Sequence, residues 1–182
     1  MSSSTFSRAE IHAREWISSA QCTYIINELT TNSKKYEPLL RDVKFHIIPI
    51  VNPDGFAFSH TDSRYWRKNR RPHQDPACVG VDLNRNFPFH WNEVGGDSYA
   101  CSEIYVGPSA CSEPECQAVK KFMDKRMDEI DTYITMHSYG QVCSASSTFF
   151  VQLYPQDFVL CHRFFWLLGA ITARLLRIRT KL

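Results

Sequence analysis

The sequence predicts an α/β sandwich, with helices packed on a sheet, and three observations carry that expectation. The segment EWISSAQCTYIINEL at 15–29 sets Ile17, Ala20, Tyr24 and Ile25 near helical spacing, as an amphipathic helix requires. VKFHIIPIV at 43–51 is the apolar run of a buried strand. A second helix signal at 112–115 then precedes TYITM at 132–136, another strand-like run. Helices and strands that alternate along a chain place the helices on the faces of the sheet. Ligands in such folds gather at the carboxyl ends of strands.

Taken in order, residues 1–10 are rich in serine and threonine and lack periodicity, so a structureless lead is expected there. TTNSKK reads as a polar loop closing the first helix. The strand at 43–51 ends on Asn52-Pro53-Asp54-Gly55, a turn in which Pro fixes φ and Gly supplies a positive φ. Residues 78–81 are briefly apolar and give way to Asp82-Leu83-Asn84-Arg85-Asn86, too polar for a strand interior. Ser112-Glu113-Pro114-Glu115 reads as a capping box with Pro in the first turn. Cys116, Val119, Phe122, Met123 and Met127 form the apolar face of that helix. The strand at 132–136 delivers His137 at its carboxyl end. No repeat or low-complexity tract interrupts the chain.

The tail differs. Beyond Gln141 no clear period survives, and FVLCHRFFWLLGAI at 158–171 is apolar but broken by His162 and Arg163. A membrane span needs about 20 apolar residues, so this run predicts an amphipathic basic tail, and its association with a membrane is not expected.

Composition narrows the function. With 182 residues, 43% hydrophobic and 22% charged, the chain suits one globular domain or slightly more. A net charge of +2 argues against bulk binding to nucleic acid or membranes. Seven cysteines leave at least one unpaired. MSSSTFSRAE has no apolar core of a signal peptide.

The chemistry begins at IHAREWIS, residues 11–18. His12 and Glu15 stand three apart, so a helix start or tight turn aims both side chains at one point. A catalytic zinc site needs three protein ligands and an open position. Of the other histidines, His46 lies inside a strand and reads as a satisfied core residue, while His60, His73 and His90 sit in polar surroundings and read as exposed. His137, at a strand end, has the best position for a third ligand. RYWRKNRR at 64–71 defaults to a solvated basic loop, but Arg67 is suited to stabilising an oxyanion near a metal. Asn84-Arg85 offers a neutral donor beside a forked guanidinium, matched to a bidentate carboxylate. Asp82 is placed to orient an imidazole from behind.

Together the strings IHAREWIS, NPDGFAFSHT, RYWRKNRRP, CVGVDLNRNF, CSEIYVGPSACSEPE and TMHSYGQ resemble the zinc metallocarboxypeptidases of the pancreatic A/B type, in one order from Ile11 to Gln141. The resemblance implies a mixed α/β sheet covered by helices on both faces, incomplete here, and one zinc ion held by His12, Glu15 and His137. It implies that Asp82 supports His12 and that Arg67 stabilises the hydrated carbonyl. Asn84 and Arg85 then clamp the free carboxylate of peptide or protein C-termini, with Arg14 and Tyr139 lining outer subsites. It pairs Cys78 with Cys101 and names no partner for Cys22, Cys111, Cys116, Cys143 or Cys161. An extracellular location is implied as well.

The likeness stops at both ends. Residues 1–10 read as a divergent lead, 11–141 as a partial peptidase domain, and 142–182 as a divergent tail. After His137 the sole acidic residue is Asp157, so the glutamate that serves the family as general base is missing. The expectation is a metallocarboxypeptidase by family that is inactive as this chain. The alternatives are a catalytically dead module binding zinc and peptide C-termini, or a non-functional truncated isoform.

Overall fold

The computed structural model describes residues 3–139 together with Ser146 and Ser147. Its sheet has the order β2-β1-β3-β4, built from β1 (Ser3–Arg8), β2 (Val43–Ile48), β3 (Thr132–Thr135) and β4 (Ser146–Ser147). β1 runs parallel to β2, with Ser3 opposite Val43 and Arg8 opposite Ile48, and parallel to β3, with Arg8 opposite Thr135. β4 is antiparallel to β3, so the sheet is mixed as expected.

Residues 3–8 correct the expectation of a structureless lead, because they form an interior strand. SSTFSR has no alternating apolar pattern, and Ser4, Thr5, Ser7 and Arg8 are all buried. Pairing on both sides specifies this strand, not the preference of its own residues, and such context is what sets strand propensity.

Each face of the sheet carries its own core. On one face, α1 (Trp16–Thr31) packs Cys22, Ile25 and Leu29 against Ala9, Ile134 and Met136. On the other, α4 (Pro114–Asp124) sets Val119 with Phe6, Ile11, Val51, Leu83 and Ile130, and Phe6 stacks on Tyr133 at 5.6 Å between ring centroids. Alternation along the strands divides them: Tyr133 serves the second core and Ile134 the first.

Several local expectations shift. In α1 the buried face is Ser18, Ser19, Cys22, Ile25 and Leu29, while Ile17 and Tyr24 are 49% and 46% exposed. The closing loop contains a further short helix, α2 (Glu37–Asp42). Asn52-Pro53-Asp54-Gly55 is not a free turn but the start of α3 (Pro53–Thr61). The Asn52 side chain accepts a hydrogen bond from the Gly55 amide, and Pro53 occupies the first turn, where its missing N–H costs nothing. At α4 the Ser112 hydroxyl donates to the Glu113 carboxylate at 2.6 Å and does not cap the helix. Met127 lies past the end of α4 and is exposed.

Cys78 pairs with Cys101, and Cys111 with Cys116, which supplies the partner the sequence could not name; Cys22 is free and buried. Cys143, Cys161 and the apolar and basic segments of the tail lie outside the described residues. Among the described residues no helix is long and apolar enough to cross a membrane.

Candidate metal centre

The carboxyl ends of the parallel strands meet at one edge. The backbone beyond β1 is fixed there by Ala9 N–H to Ile48 O at 3.0 Å and Asn52 N–H to Glu10 O at 3.1 Å. Met136 N–H to Arg8 O, at 2.9 Å, fixes the chain beyond β3. His12 therefore leaves β1, and His137 leaves β3, side by side, with ring centroids 4.9 Å apart. The chain turns tightly after His12, with Glu15 N–H bonded to His12 O at 3.1 Å, and this turn swings the Glu15 carboxylate between the two rings.

The carboxylate takes one imidazole on each oxygen. His12 Nδ1 lies 2.8 Å from Oε1, and His137 Nδ1 lies 2.9 Å from Oε2. The far nitrogens are anchored too: His12 Nε2 is 3.1 Å from Asp82 Oδ1, and His137 Nε2 is 3.3 Å from Thr135 Oγ1. Asp82 reaches further, accepting from Arg67 Nε at 3.1 Å and Nη2 at 2.8 Å on its other oxygen. Thus one carboxylate holds both an imidazole of the triad and the guanidinium beside it.

These groups are buried, and burial alone drives carboxyl groups up and imidazoles down. For Glu15 the bonds from His12 and His137 outweigh it and hold the carboxyl down at about 2. In Asp82 burial is likewise overcome, by His12 and then Arg67, and the group sits far below the usual carboxylate range. His12, lowered by burial but raised more strongly by Asp82 and Glu15, ends above its ordinary value. His137 ends below its own, because burial exceeds the help from Glu15.

Ligand atoms of His12, Glu15 and His137 lie within 4.8 Å of one another. Two imidazole nitrogens and a carboxylate, with both imidazoles braced from behind, match the donor set and outer-shell support that zinc takes. The residues therefore fit that ion.

The other anticipated residues fall around this core. Asn84 is buried in the 3₁₀ turn Leu83–Arg85, where its amide donates to Asp82 Oδ1 at 3.0 Å and its Oδ1 accepts from Arg8 at 3.4 Å. Arg85 is anchored through Nε to Gly95 O at 2.7 Å and through Nη1 to Asn84 O at 3.3 Å. Arg14 points outward, donating to Tyr65 O at 3.4 Å and meeting Glu103 at 3.5 Å. Tyr139, two residues past His137, is 96% exposed.

Other histidines depart from expectation. His46 is not satisfied, since its Nε2 is buried without a hydrogen-bond partner among the described residues. His73 is half-buried, with Nε2 3.3 Å from Gly80 O, whereas His60 and His90 are exposed. Sequence reasoning also missed Thr135. Its signal was spacing, because residues two apart on a strand share a face.

The zinc carboxypeptidase family profile matches residues 3–157. The chain is 44% identical over 137 residues to zinc carboxypeptidase A 1 of Drosophila melanogaster, covering 75% of this chain and 31% of that protein. It is 48% identical over 135 residues to carboxypeptidase B2 of Rattus norvegicus, covering 72% of this chain and 32% of that one. Among solved structures, bovine thrombin-activatable fibrinolysis inhibitor in complex with tick carboxypeptidase inhibitor superposes with a TM-score of 0.70 at 44% identity, over 76% of this chain and 47% of that one. Carboxypeptidase A from Helicoverpa armigera gives 0.73 at 32% identity, over 77% and 34% of the two chains. The chain belongs to the zinc carboxypeptidase family. It spans about a third of the length of these two curated relatives.

Proposed function

We propose that the site binds one zinc ion through His12, Glu15 and His137 and receives the free carboxylate of a peptide or protein C-terminus at Asn84 and Arg85. In this reading it carries the binding half of a metallocarboxypeptidase reaction. The observation that supports it most is the shared carboxylate of Asp82, which braces His12 with one oxygen and Arg67 with the other. Such a bridge fixes a guanidinium next to the metal-binding imidazole, where a peptide carbonyl would be polarised. Bound zinc supplies Lewis acidity and a water of lowered pKa. The chain's own residues then orient the substrate: Asn84 and Arg85 at the terminal carboxylate, Arg67 at the carbonyl oxygen, Arg14 and Tyr139 along the outer peptide.

Hydrolysis by this stretch of chain is proposed to be slow. Both carboxylates described at the triad are already engaged, Glu15 by two imidazoles and Asp82 by His12 and Arg67. Loss of acid–base assistance costs roughly 10²–10⁴-fold in rate. The two disulfides support an oxidising, extracellular setting.

The test is equilibrium binding of zinc-loaded protein to N-acetyl-Gly-Phe and N-acetyl-Gly-Lys, each with a free or an amidated C-terminus. Binding of the free acids that is lost on amidation and abolished by a chelator is expected. Equal affinity for acids and amides would sink the clamp. Chelator-sensitive hydrolysis of the same dipeptides at the rates usual for enzymes, about 1–10³ s⁻¹, would overturn the proposed slowness.

A further inference from the structure

The turn that carries Asn84 and Arg85 is pinned at both ends. At its front, Asp82 receives the Asn84 amide at 3.0 Å through Oδ1 and the Arg85 amide at 2.9 Å through its backbone oxygen. At its back stands Asn86, completely buried, whose amide closes the turn on Leu83 O at 3.3 Å. The front post belongs to the triad. The back post belongs to a different structure.

Asn86 is a knot with every polar group of its side chain in use. Its Nδ2 faces Val106 O at 2.8 Å, Ser109 O at 3.1 Å and Ser112 Oγ at 3.0 Å, while its Oδ1 accepts from the Glu113 amide at 3.1 Å. Its backbone oxygen accepts from the Cys111 amide at 2.7 Å. Two features hold the partner loop against this knot. Cys111 is tied to Cys116 on α4 by a disulfide. Gly107, at φ +89°, leaves open the space a side chain would fill, since a Cβ there would come within 2.6 Å of Asn86 Nδ2.

We propose that Asn86 is a positioning residue for the carboxylate-binding pair Asn84–Arg85, and that the Cys111–Cys116 disulfide is the brace that keeps it in place. The part concerning peptide binding rests on the function proposed above; the part concerning the turn does not. Because Asp82 holds the front of the turn and His12 while Asn86 holds the back, loosening the brace should shift the back of the clamp and leave the metal ligands undisturbed.

The experiment compares the zinc-loaded full chain with Cys111→Ser/Cys116→Ser and with Gly107→Ala, which keeps the disulfide and crowds Asn86 instead. Amide hydrogen exchange at residues 84–86 reports the turn itself. In both variants these amides should exchange about tenfold faster, as local opening becomes easier, with zinc affinity within twofold of wild type. Affinity for free-acid N-acetyl-Gly-Phe should fall about tenfold, the effect of losing support behind a binding group, with its amide remaining without measurable binding. Unchanged exchange at 84–86 in either folded, zinc-binding variant would overturn the proposal, as would faster exchange accompanied by an equal loss of zinc affinity. Should wild type bind acid and amide alike, the clamp reading fails, and exchange alone decides the role of Asn86. A merely structural disulfide would lower the unfolding midpoint without singling out these amides.

Discussion

Two clusters of buried charge sit a few residues apart in this protein, and they are built on opposite terms. At the triad, Glu15 and Asp82 together engage His12, His137 and Arg67. On β1 and just beyond it, Arg8 and Glu10 are equally buried. Yet Arg8 Nε and Nη1 and both Glu10 carboxylate oxygens have no partner in good hydrogen-bond geometry among the described residues. Arg8 has a long contact to Asn84 and lies over the rings of Phe87 and Tyr133, 4.8 and 5.7 Å from their centroids. Burial raises the Glu10 carboxyl to about 7, only partly offset by Ser19. Burial of charge is therefore no mark of design by itself; partners distinguish a site from a burden on the fold.

That contrast can be broken by mutation, most severely at the satisfied cluster. Asp82→Asn removes the charge shared by His12 and Arg67 and should cost about 3–5 kcal/mol of stability, read from urea unfolding. It should also weaken zinc binding roughly 10–100-fold in a chelator competition. A stability equal to wild type would place Asp82 in the same class as Arg8. Arg8→Met should act in the opposite direction, raising stability by about 1–4 kcal/mol, since an apolar chain of similar reach replaces an ill-partnered charge. A lower unfolding midpoint would mean that the Phe87 and Tyr133 rings compensate Arg8 fully.

The smallest effect concerns His46 on β2, an uncharged member of the unpartnered class. Burial, with Arg126 and Lys44 nearby, lowers its pKa below the ordinary 6.5, and Glu129 opposes this only in part. The unfolded chain then takes up a proton first, so His46 contributes stability above about pH 6.5 that is lost as the pH falls below it. His46→Gln should flatten the pH dependence across that interval relative to wild type. An identical slope in the two proteins would remove His46 from the account.

Legibility in the sequence followed the same division. His12 and Glu15 were readable from their spacing and His137 from its place after a strand, because local geometry aims those side chains. The roles proposed for Asp82, Arg67 and Asn84-Arg85 needed the ordered set of family motifs, since no spacing rule joins residues on separate loops. β1 was illegible, because SSTFSR contains nothing that asks to be a buried strand and its place is set by β2 and β3. α3 was missed because Asn-Pro-Asp-Gly suits a turn and a capped helix start equally well. The Cys111–Cys116 pair lay beyond reach because spacing alone does not choose among seven cysteines.

The position of β1 between β2 and β3 also sets an order of events in time. A strand from the first eight residues finds its second neighbour only when residues 132–135 exist, and Glu15 meets His137 across 122 positions of chain. Such closure over long separations slows folding. During synthesis the first imidazole and carboxylate must wait for almost the whole described chain to emerge. Among the described residues the proposed metal-binding triad is therefore one of the last features to assemble, and zinc uptake would report the closure of β1 onto β3.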